Sequence, residues 1–176
     1  MGLALEFAIL TTARTGEVIN ARWSELDMAG KVWSIPAARM KSGREHRVPL
    51  CERVVEILNL LAAARAGDFV FPGSRRDQPL SNMAMRMTAR RAGIDYTVHG
   101  FRSSFRDWAG ERTNFPREVA EAALAHVVGD ATELAYRRGD ALEKRRALVD
   151  TWAKFCEAKP GDIVVPLALP KRGQQN

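Results

Sequence analysis

A single α+β domain, mostly helical with a small antiparallel sheet, is predicted for this chain by three observations. Its 176 residues amount to about one domain, enough to bury a core but not two large ones. Apolar residues recur at helical spacing in several separate stretches, among them Leu3 to Ala13, Cys51 to Ala66 and the segment after Gly100. Between the first two, Trp23 to Leu50 alternates apolar and polar residues and is broken by turn residues, the pattern of short strands joined by hairpins.

In chain order, Leu3, Phe7 and Leu10 give the first helix its apolar spacing. Thr15 is placed to cap a second, short helix through Ala21, which leaves Arg14 at the junction, where an arginine can point into a cleft. Trp23 to Pro36 reads as two strands around a turn at Ala29-Gly30, and Arg47 to Leu50 as a third after Lys41-Ser42-Gly43, so Lys41 stands at or near a hairpin tip. Cys51 to Ala66 is a helix with Val54, Val55, Leu58, Leu61 and Ala62 on one face, stopped by Gly67. Phe69 to Phe71 is a short extended link and Pro72 to Pro79 a polar loop. Ser81 caps a helix to about Arg91, ended by Gly93, with Met83, Met85 and Met87 as core filler.

The next helix begins near Gly100, turning Phe101, Phe105, Trp108 and Ala109 inward and Arg102, Arg106 and Asp107 to the other face. Pro116 opens a further helix that ends around Leu124, and a short one from about Ala131 carries Tyr136. Asp140 caps the last long helix, whose stripe is Leu148, Val149, Trp152, Phe155 and Cys156 while Lys144, Arg145 and Arg146 stay in solvent. Pro160-Gly161 breaks it, and Ile163 to Pro170 is an apolar, proline-bounded strip expected to lie extended on a surface of its own domain or a neighbour's.

Composition narrows the function classes. The chain has 27 Lys and Arg against 21 Asp and Glu, a net charge of +6 and a sequence pI near 9.8, which points to an acidic partner such as nucleic acid or a membrane surface. Basic residues such as Arg86, Arg90, Arg91, Arg102 and Arg106 fall inside predicted helices, which favours a folded cationic face over a disordered basic tail. The apolar run Gly2 to Leu10 is interrupted by Glu6 and falls well short of the roughly 20 residues of a membrane span, so a cytoplasmic protein without membrane attachment is expected. Cys51 and Cys156 have no CxxC partner, so neither a zinc site nor a disulfide framework is indicated.

The stretch from His99 to Tyr136 concentrates the chemistry. It holds His99-Gly100-Phe101-Arg102, Leu124-Ala125-His126 and Ala135-Tyr136. These are proton-transfer groups, a fixed cation and a side-chain nucleophile, without a carboxylate pair or cysteine cluster to hold a metal, and such a set suits attack on a phosphodiester. Tyrosine has a pKa near 10, so at pH 7 roughly one in a thousand is ionised, a handicap of about 4 kcal/mol that a base or a cationic pocket must offset. Arg14 and Arg102 offer guanidinium forks for the charge that grows on the non-bridging oxygens, each apt for about 10²–10³ in rate. A mobile lysine such as Lys41 can protonate the departing oxygen for roughly 10²–10⁴ more. Tyr96, close to His99, is a rival nucleophile.

Arg14, Lys41, His99, Arg102, His126 and Tyr136 stand in the order and context of the tyrosine recombinase, or phage integrase, catalytic domain, which the chain resembles from about Leu3 to Glu157. Thr12-Ala13-Arg14-Thr15-Gly16-Glu17 is similar to the first-arginine box, Met40-Lys41 to the hairpin lysine, and the three motifs above to the histidine–arginine, second-histidine and nucleophile boxes. Trp23-Ser24-Glu25, Ala38-Arg39-Met40-Lys41 and Phe105-Arg106-Asp107-Trp108-Ala109 are most like integrases of genomic islands and satellite prophages.

The resemblance implies the tyrosine recombinase catalytic-domain fold, with residues 1–158 as the catalytic domain and 159–176 as a C-terminal tail. It implies site-specific DNA cleavage and rejoining through a 3′-phosphotyrosine on Tyr136, with His126 donating to a non-bridging oxygen and Glu17 bracing the site. Arg39, Arg44, Arg86, Arg90 and Arg106 are the expected DNA contacts, double-stranded attachment sites the partner, and a tetramer on DNA the assembly, from a monomer or weak dimer when free. No metal or nucleotide cofactor is implied, since the phosphotyrosine conserves the energy of the broken bond. Nothing precedes the first catalytic helix, so weak, salt-dependent DNA binding is expected, from either an excised domain or a decayed gene. The alternatives are a non-catalytic remnant that binds DNA or an integrase, and a type IB topoisomerase-like nicking and closing activity.

Overall fold

The computed structural model describes residues 2–75, 77–126 and 141–158. The elements are α1 (Gly2–Thr11), α2 (Thr15–Ile19), β1 (Leu26–Asp27), β2 (Val32–Ile35), β3 (His46–Pro49), α3 (Glu52–Ala63), α4 (Ala84–Arg91), α5 (Gly100–Arg112), α6 (Arg117–Ala123) and α7 (Leu142–Glu157). The helix expected around Tyr136, the Asp140 cap and the tail from residue 159 lie outside the described residues.

Helix α1 is the axis. It is apolar nearly all round, as a helix surrounded by other elements must be, and buries Ala4, Leu5, Phe7, Ala8, Leu10 and Thr11. Phe7 meets the rings of Trp33 and Phe71 edge-on, with centroids 5.3 and 5.2 Å away, which joins the helix to the sheet and to the 69–72 link. On another side Ile9 packs against a second cluster built from α5, α6 and α7, where Trp152 lies 5.4 Å from Phe105 and 5.0 Å from Trp108. The Trp152 indole N–H donates to the Ile9 carbonyl at 2.9 Å, so the two halves of the core are joined by a hydrogen bond as well as by packing.

The sheet is antiparallel in the order β1-β2-β3, with Leu26 opposite Trp33, Trp33 opposite Val48 and Ile35 opposite His46. Its first hairpin turns at Gly30, whose N–H donates to the Asp27 carboxylate at 2.8 Å. A Cβ on residue 30 would meet the other Asp27 oxygen, so a larger residue here would turn the Asp27 carboxylate away from its bond to the residue 30 N–H. The β2–β3 connection runs through a 3₁₀ turn (Ala37–Arg39) and carries Lys41 and Arg44, both exposed, with Met40 buried beneath them as its anchor.

Several local expectations are corrected. Trp23–Glu25 is a 3₁₀ turn and not the start of a strand, because the Glu25 carboxylate collects the Arg22 N–H, the Trp33 indole N–H and the Arg39 guanidinium and draws the chain back on itself. Arg14, not Thr15, occupies the N-cap of α2. Helix α4 begins at Ala84, three residues after Ser81, whose carbonyl accepts the Ala84 N–H; Met85 is buried, but Met83 is 51% exposed. At its other end Gly93, at φ 72°, closes the turn, with Ile94 N–H bonded to Ala89 and Gly93 N–H to Arg90. In α3 the buried face is Val54, Ile57 and Leu58, so Ile57 takes the place expected of Ala62. In α7 Cys156 is exposed, whereas Arg145 is buried and Arg146 is drawn onto the turn carbonyls of Gly30 and Lys31.

Because Trp152 closes both halves of the core around α1, Trp152→Phe, which removes the indole N–H and leaves the Ile9 carbonyl unsatisfied, should cost about 1.5–3 kcal/mol. Urea unfolding with an unchanged m-value checks this; a midpoint equal to that of the parent would mean that the Trp152 bond contributes nothing.

Candidate active site

The site is built where three chain segments end against one side chain. Arg102 lies on the first turns of α5, three residues after His99, and is only 5% exposed. One of its terminal nitrogens donates to the carbonyl of Thr12, just past the end of α1; the other donates to the carbonyl of Leu124, just past the end of α6, at 2.7 Å. Both are helix C-termini, where free carbonyls and the helix dipole favour a cation. Thr12 is two residues from Arg14 and Leu124 two residues from His126, so this guanidinium draws the first-arginine and second-histidine segments toward α5. Burial, and after it the charge of Arg14, lower the Arg102 pKa to about 10, with Glu17 opposing. Arg102 therefore departs from the expectation of an outward-facing arginine: it is part of the core as well as of the site.

Arg14 is held by Glu17. The buried carboxylate accepts the Arg14 backbone N–H at 2.7 Å and its guanidinium at 2.8 Å, so that it both closes the start of the helix and fixes the arginine. Arg39 bonds to the carbonyls of Asn20 and Glu17 and pairs with Glu25 at 3.2 Å. Burial lowers its pKa, against the pull of Glu25, and its side chain faces inward from the 3₁₀ turn.

His126 follows a left-handed residue, Ala125 at φ 51°, which reverses the chain at the end of α6. Its N–H donates to the Glu121 carbonyl at 2.9 Å while Ala125 N–H bonds to Ala122, the paired bonds of a Schellman turn. Glu121 is buried, and its carboxylate sits 2.7 Å from His126 Nδ1 and accepts the Arg106 Nε at 2.8 Å. Burial pushes this carboxyl up, but the bonds from His126 and Arg106 outweigh it and hold the pKa below the usual range. His99, at the start of α5, is exposed, as are Lys41, Arg44, Arg86 and Arg90. Lys41 makes no hydrogen bond or ion pair among the described residues. Tyr136 lies outside the described residues; Tyr96 is 72% exposed. Among the described residues no group of His, Cys, Asp and Glu could hold a metal ion, and no helix is long and apolar enough to cross a membrane.

Two polar residues near these segments are absent from the motif reading. Glu121 precedes His126 by five residues, the separation that a Schellman turn brings back together, and the helix end near Leu124 is its signal. His46 shares a strand face with Val48 and is mostly buried on β3; burial first, then the charge of Arg145, lower its pKa to about 4. Strand alternation was the available signal.

This helical domain, with a lysine on the connection between two strands and with arginine and histidine segments drawn together by a buried guanidinium, belongs to the phage integrase family, whose model matches residues 2–142. It is similar to prophage integrase IntA of Escherichia coli (strain K12), with 37% identity over 167 residues that cover 93% of this chain and 40% of that protein. The chain spans about 40% of the length of the curated relatives it matches. Among solved structures, the integrase of mycobacterium phage Brujita matches at TM-score 0.64 and 19% identity over 85% of this chain and 50% of that one. A lambda integrase (residues 75–356) dimer bound to a COC′ core site matches at TM-score 0.54 and 25% identity over 72% and 50%.

Arg102→Ala should destabilise the fold by about 2–4 kcal/mol, since it orphans two buried carbonyls, whereas Arg14→Ala, at a partly exposed ion pair, should cost about 1 kcal/mol or less. Paired urea titrations check the order, and its reversal would mean that Arg102 is not the structural tie. His46 has a folded pKa of about 4 against an ordinary 6.5, so the stability linked to it is complete above pH 6.5 and is lost as pH falls toward 4. The melting temperature should drop across that window, and less steeply in His46→Gln; parallel curves would rule out His46 as a source of the acid sensitivity.

Proposed function

We propose that this chain carries out the strand-transfer chemistry of a site-specific DNA recombinase, serving integration and excision of a prophage or genomic island. The observation that supports it most is the junction of Arg14 and Arg102: Arg102 is bonded to the carbonyl of Thr12, two residues before Arg14, and the Arg14 guanidinium is held by Glu17 at 2.8 Å. Two neighbouring cations, one fixed by a carboxylate and the other by backbone carbonyls, suit an added anion, and a scissile phosphodiester is one of the right size and charge.

In this reading the Tyr136 hydroxyl attacks the phosphorus, losing its proton with help from His99, and the bond from phosphorus to the 5′-oxygen breaks. Lys41, on its exposed loop, protonates that oxygen, so a 3′-phosphotyrosine and a free 5′-hydroxyl result. Arg14, Arg102 and His126 stabilise the charge on the non-bridging oxygens. Guanidinium has five N–H donors, so Arg102 can keep its two carbonyl bonds and still offer a donor to the phosphate. Attack by a 5′-hydroxyl from the partner strand reverses the step. The exposed Arg44, Arg86 and Arg90 contact the backbone; Arg106 is shared with Glu121, and Arg39 braces the hairpin. Attachment-site DNA is the substrate and a tetramer on that DNA the working form; the similar lambda integrase, bound to a core site, supports the first of these.

Incubation of the chain with nicked duplexes of randomised core should yield a covalent protein–DNA adduct that Tyr136→Phe abolishes and Tyr96→Phe leaves intact, and Lys41→Ala should slow its formation by roughly 10²–10⁴. A DNA adduct mapped to Tyr96 by mass spectrometry would reverse the assignment. No adduct from any substrate would favour a binding remnant, and supercoil relaxation without strand exchange a topoisomerase.

A further inference from the structure

We infer that Glu121 is a positioning residue that fixes the protonation pattern of His126, so that the ring meets the phosphate as an imidazolium held between two anions. This rests on the proposed function for the identity of the phosphate, but its geometry stands apart from it. His126 is tied to Glu121 twice, by its backbone N–H on the Glu121 carbonyl at 2.9 Å and by Nδ1 on the carboxylate at 2.7 Å. The first bond sets where the residue lies and the second how its ring is turned.

The chemistry follows from the inventory of an imidazole. A carboxylate only accepts, so at 2.7 Å the proton lies on Nδ1, and a neutral ring then has only a lone pair at Nε2. Such a ring repels a phosphate oxygen. A ring that donates from Nε2 while Nδ1–H is given to Glu121 carries protons on both nitrogens, and the carboxylate is the group that supports this charge. Glu121 is kept ionised for the purpose: its other oxygen accepts the Arg106 Nε at 2.8 Å from α5, and Arg117 on α6 lies 3.7 Å from the same oxygen. Buried as it is, the carboxylate is shielded from competing water. The Leu124 carbonyl bonded to Arg102 lies in the same turn, so the donor direction of His126 and the seat of Arg102 are fixed by one reversal of the chain.

Two measurements test it. Long-range proton–nitrogen NMR of the 176-residue chain without DNA should show Nδ1 of His126 protonated throughout the titration, with the neutral ring in the Nδ1–H tautomer; in Glu121→Gln the neutral ring should shift toward the commoner Nε2–H form. An Nε2–H tautomer in the parent would overturn the inference whatever the chain's activity. With the nicked-duplex assay, E121Q should slow adduct formation by roughly 10–100-fold and move the basic limb of the pH–rate profile to lower pH, and it should add little to the loss in a His126→Ala background. Equal pH profiles for parent and E121Q, or full additivity with H126A, would overturn it too, because a merely structural Glu121 would lower the rate without either signature. If the parent forms no adduct at all, it is the recombinase reading that fails, and the tautomer measurement still decides the role of Glu121.

Discussion

A guanidinium buried to within a few per cent of its surface donates to carbonyls at the ends of two helices that are far apart in sequence, and the arrangement of this molecule depends on that contact. Arg102 reaches Thr12 across 90 residues and Leu124 across 22. Hydrophobic packing brings α1, α5 and α6 into the same core and turns their apolar faces inward; two directional, charge-assisted bonds further fix where their ends stand. Removing a charged group from water is costly unless its donors are satisfied, so the fold with both carbonyls in place is favoured over near alternatives in which either is missing. The same bonds set the spacing between the segments carrying Arg14 and His126.

The backbone at both ends of this contact is in an uncommon conformation. Thr12 has φ 53° and Ala125 φ 51°, each left-handed without being glycine, and each adjoins or bears a carbonyl that Arg102 takes. Left-handed backbone costs a residue with a Cβ roughly 1–2 kcal/mol, and a β-branched threonine is the less comfortable of the two. Both conformations end a helix abruptly and leave its last carbonyls turned toward the site. The buried Thr12 hydroxyl also has no hydrogen-bond partner among the described residues. Strain and an unmet polar group at one junction are what a site that needs exact placement of groups tends to accept, the surrounding core supplying the stability.

How much of this was legible in the sequence depended on the range of the interaction. The helices around Phe7, Phe105 and Leu148 and the hairpin at Gly30 were legible because apolar spacing and turn chemistry are local, and the motifs that carry Arg14, His99, Arg102 and His126 were legible as a series. What was not legible is where a cation goes when its neighbours are distant. Arg102 read as a catalytic cation on an outward helix face, Arg145 as a solvated side chain and Arg39 as a DNA contact; each finds backbone carbonyls contributed by other segments, at Thr12 and Leu124, at Arg47, and at Asn20 and Glu17. Periodicity reports which face of an element is apolar, not which loop ends will come to stand opposite it. His46 and Glu121 escaped notice for a related reason, as single polar residues on apolar faces whose partners are supplied by the tertiary fold.

The charges of the site divide into two sets, each organised by one buried carboxylate. Glu17 holds Arg14 and lies close enough to Arg102 to oppose the lowering of its pKa; Glu121 holds Arg106 and the His126 ring, with Arg117 nearby. Each set keeps more cationic donors than its carboxylate can match, and the guanidiniums are fixed by backbone or carboxylate bonds on one side, so their remaining donors have few directions open to them. Both carboxylates are buried, so bulk water competes little for their oxygens, while Arg106, Arg117 and His126 keep much of their own surface in solvent, where salt screens their attraction for a distant polyanion. A site arranged in this way does not need to gather its charges when an anion arrives. The reorganisation that free arginines and lysines would undergo in solution has been done by folding, and for a reaction whose transition state differs from its ground state mainly in added negative charge, that is the contribution a protein scaffold is best placed to make.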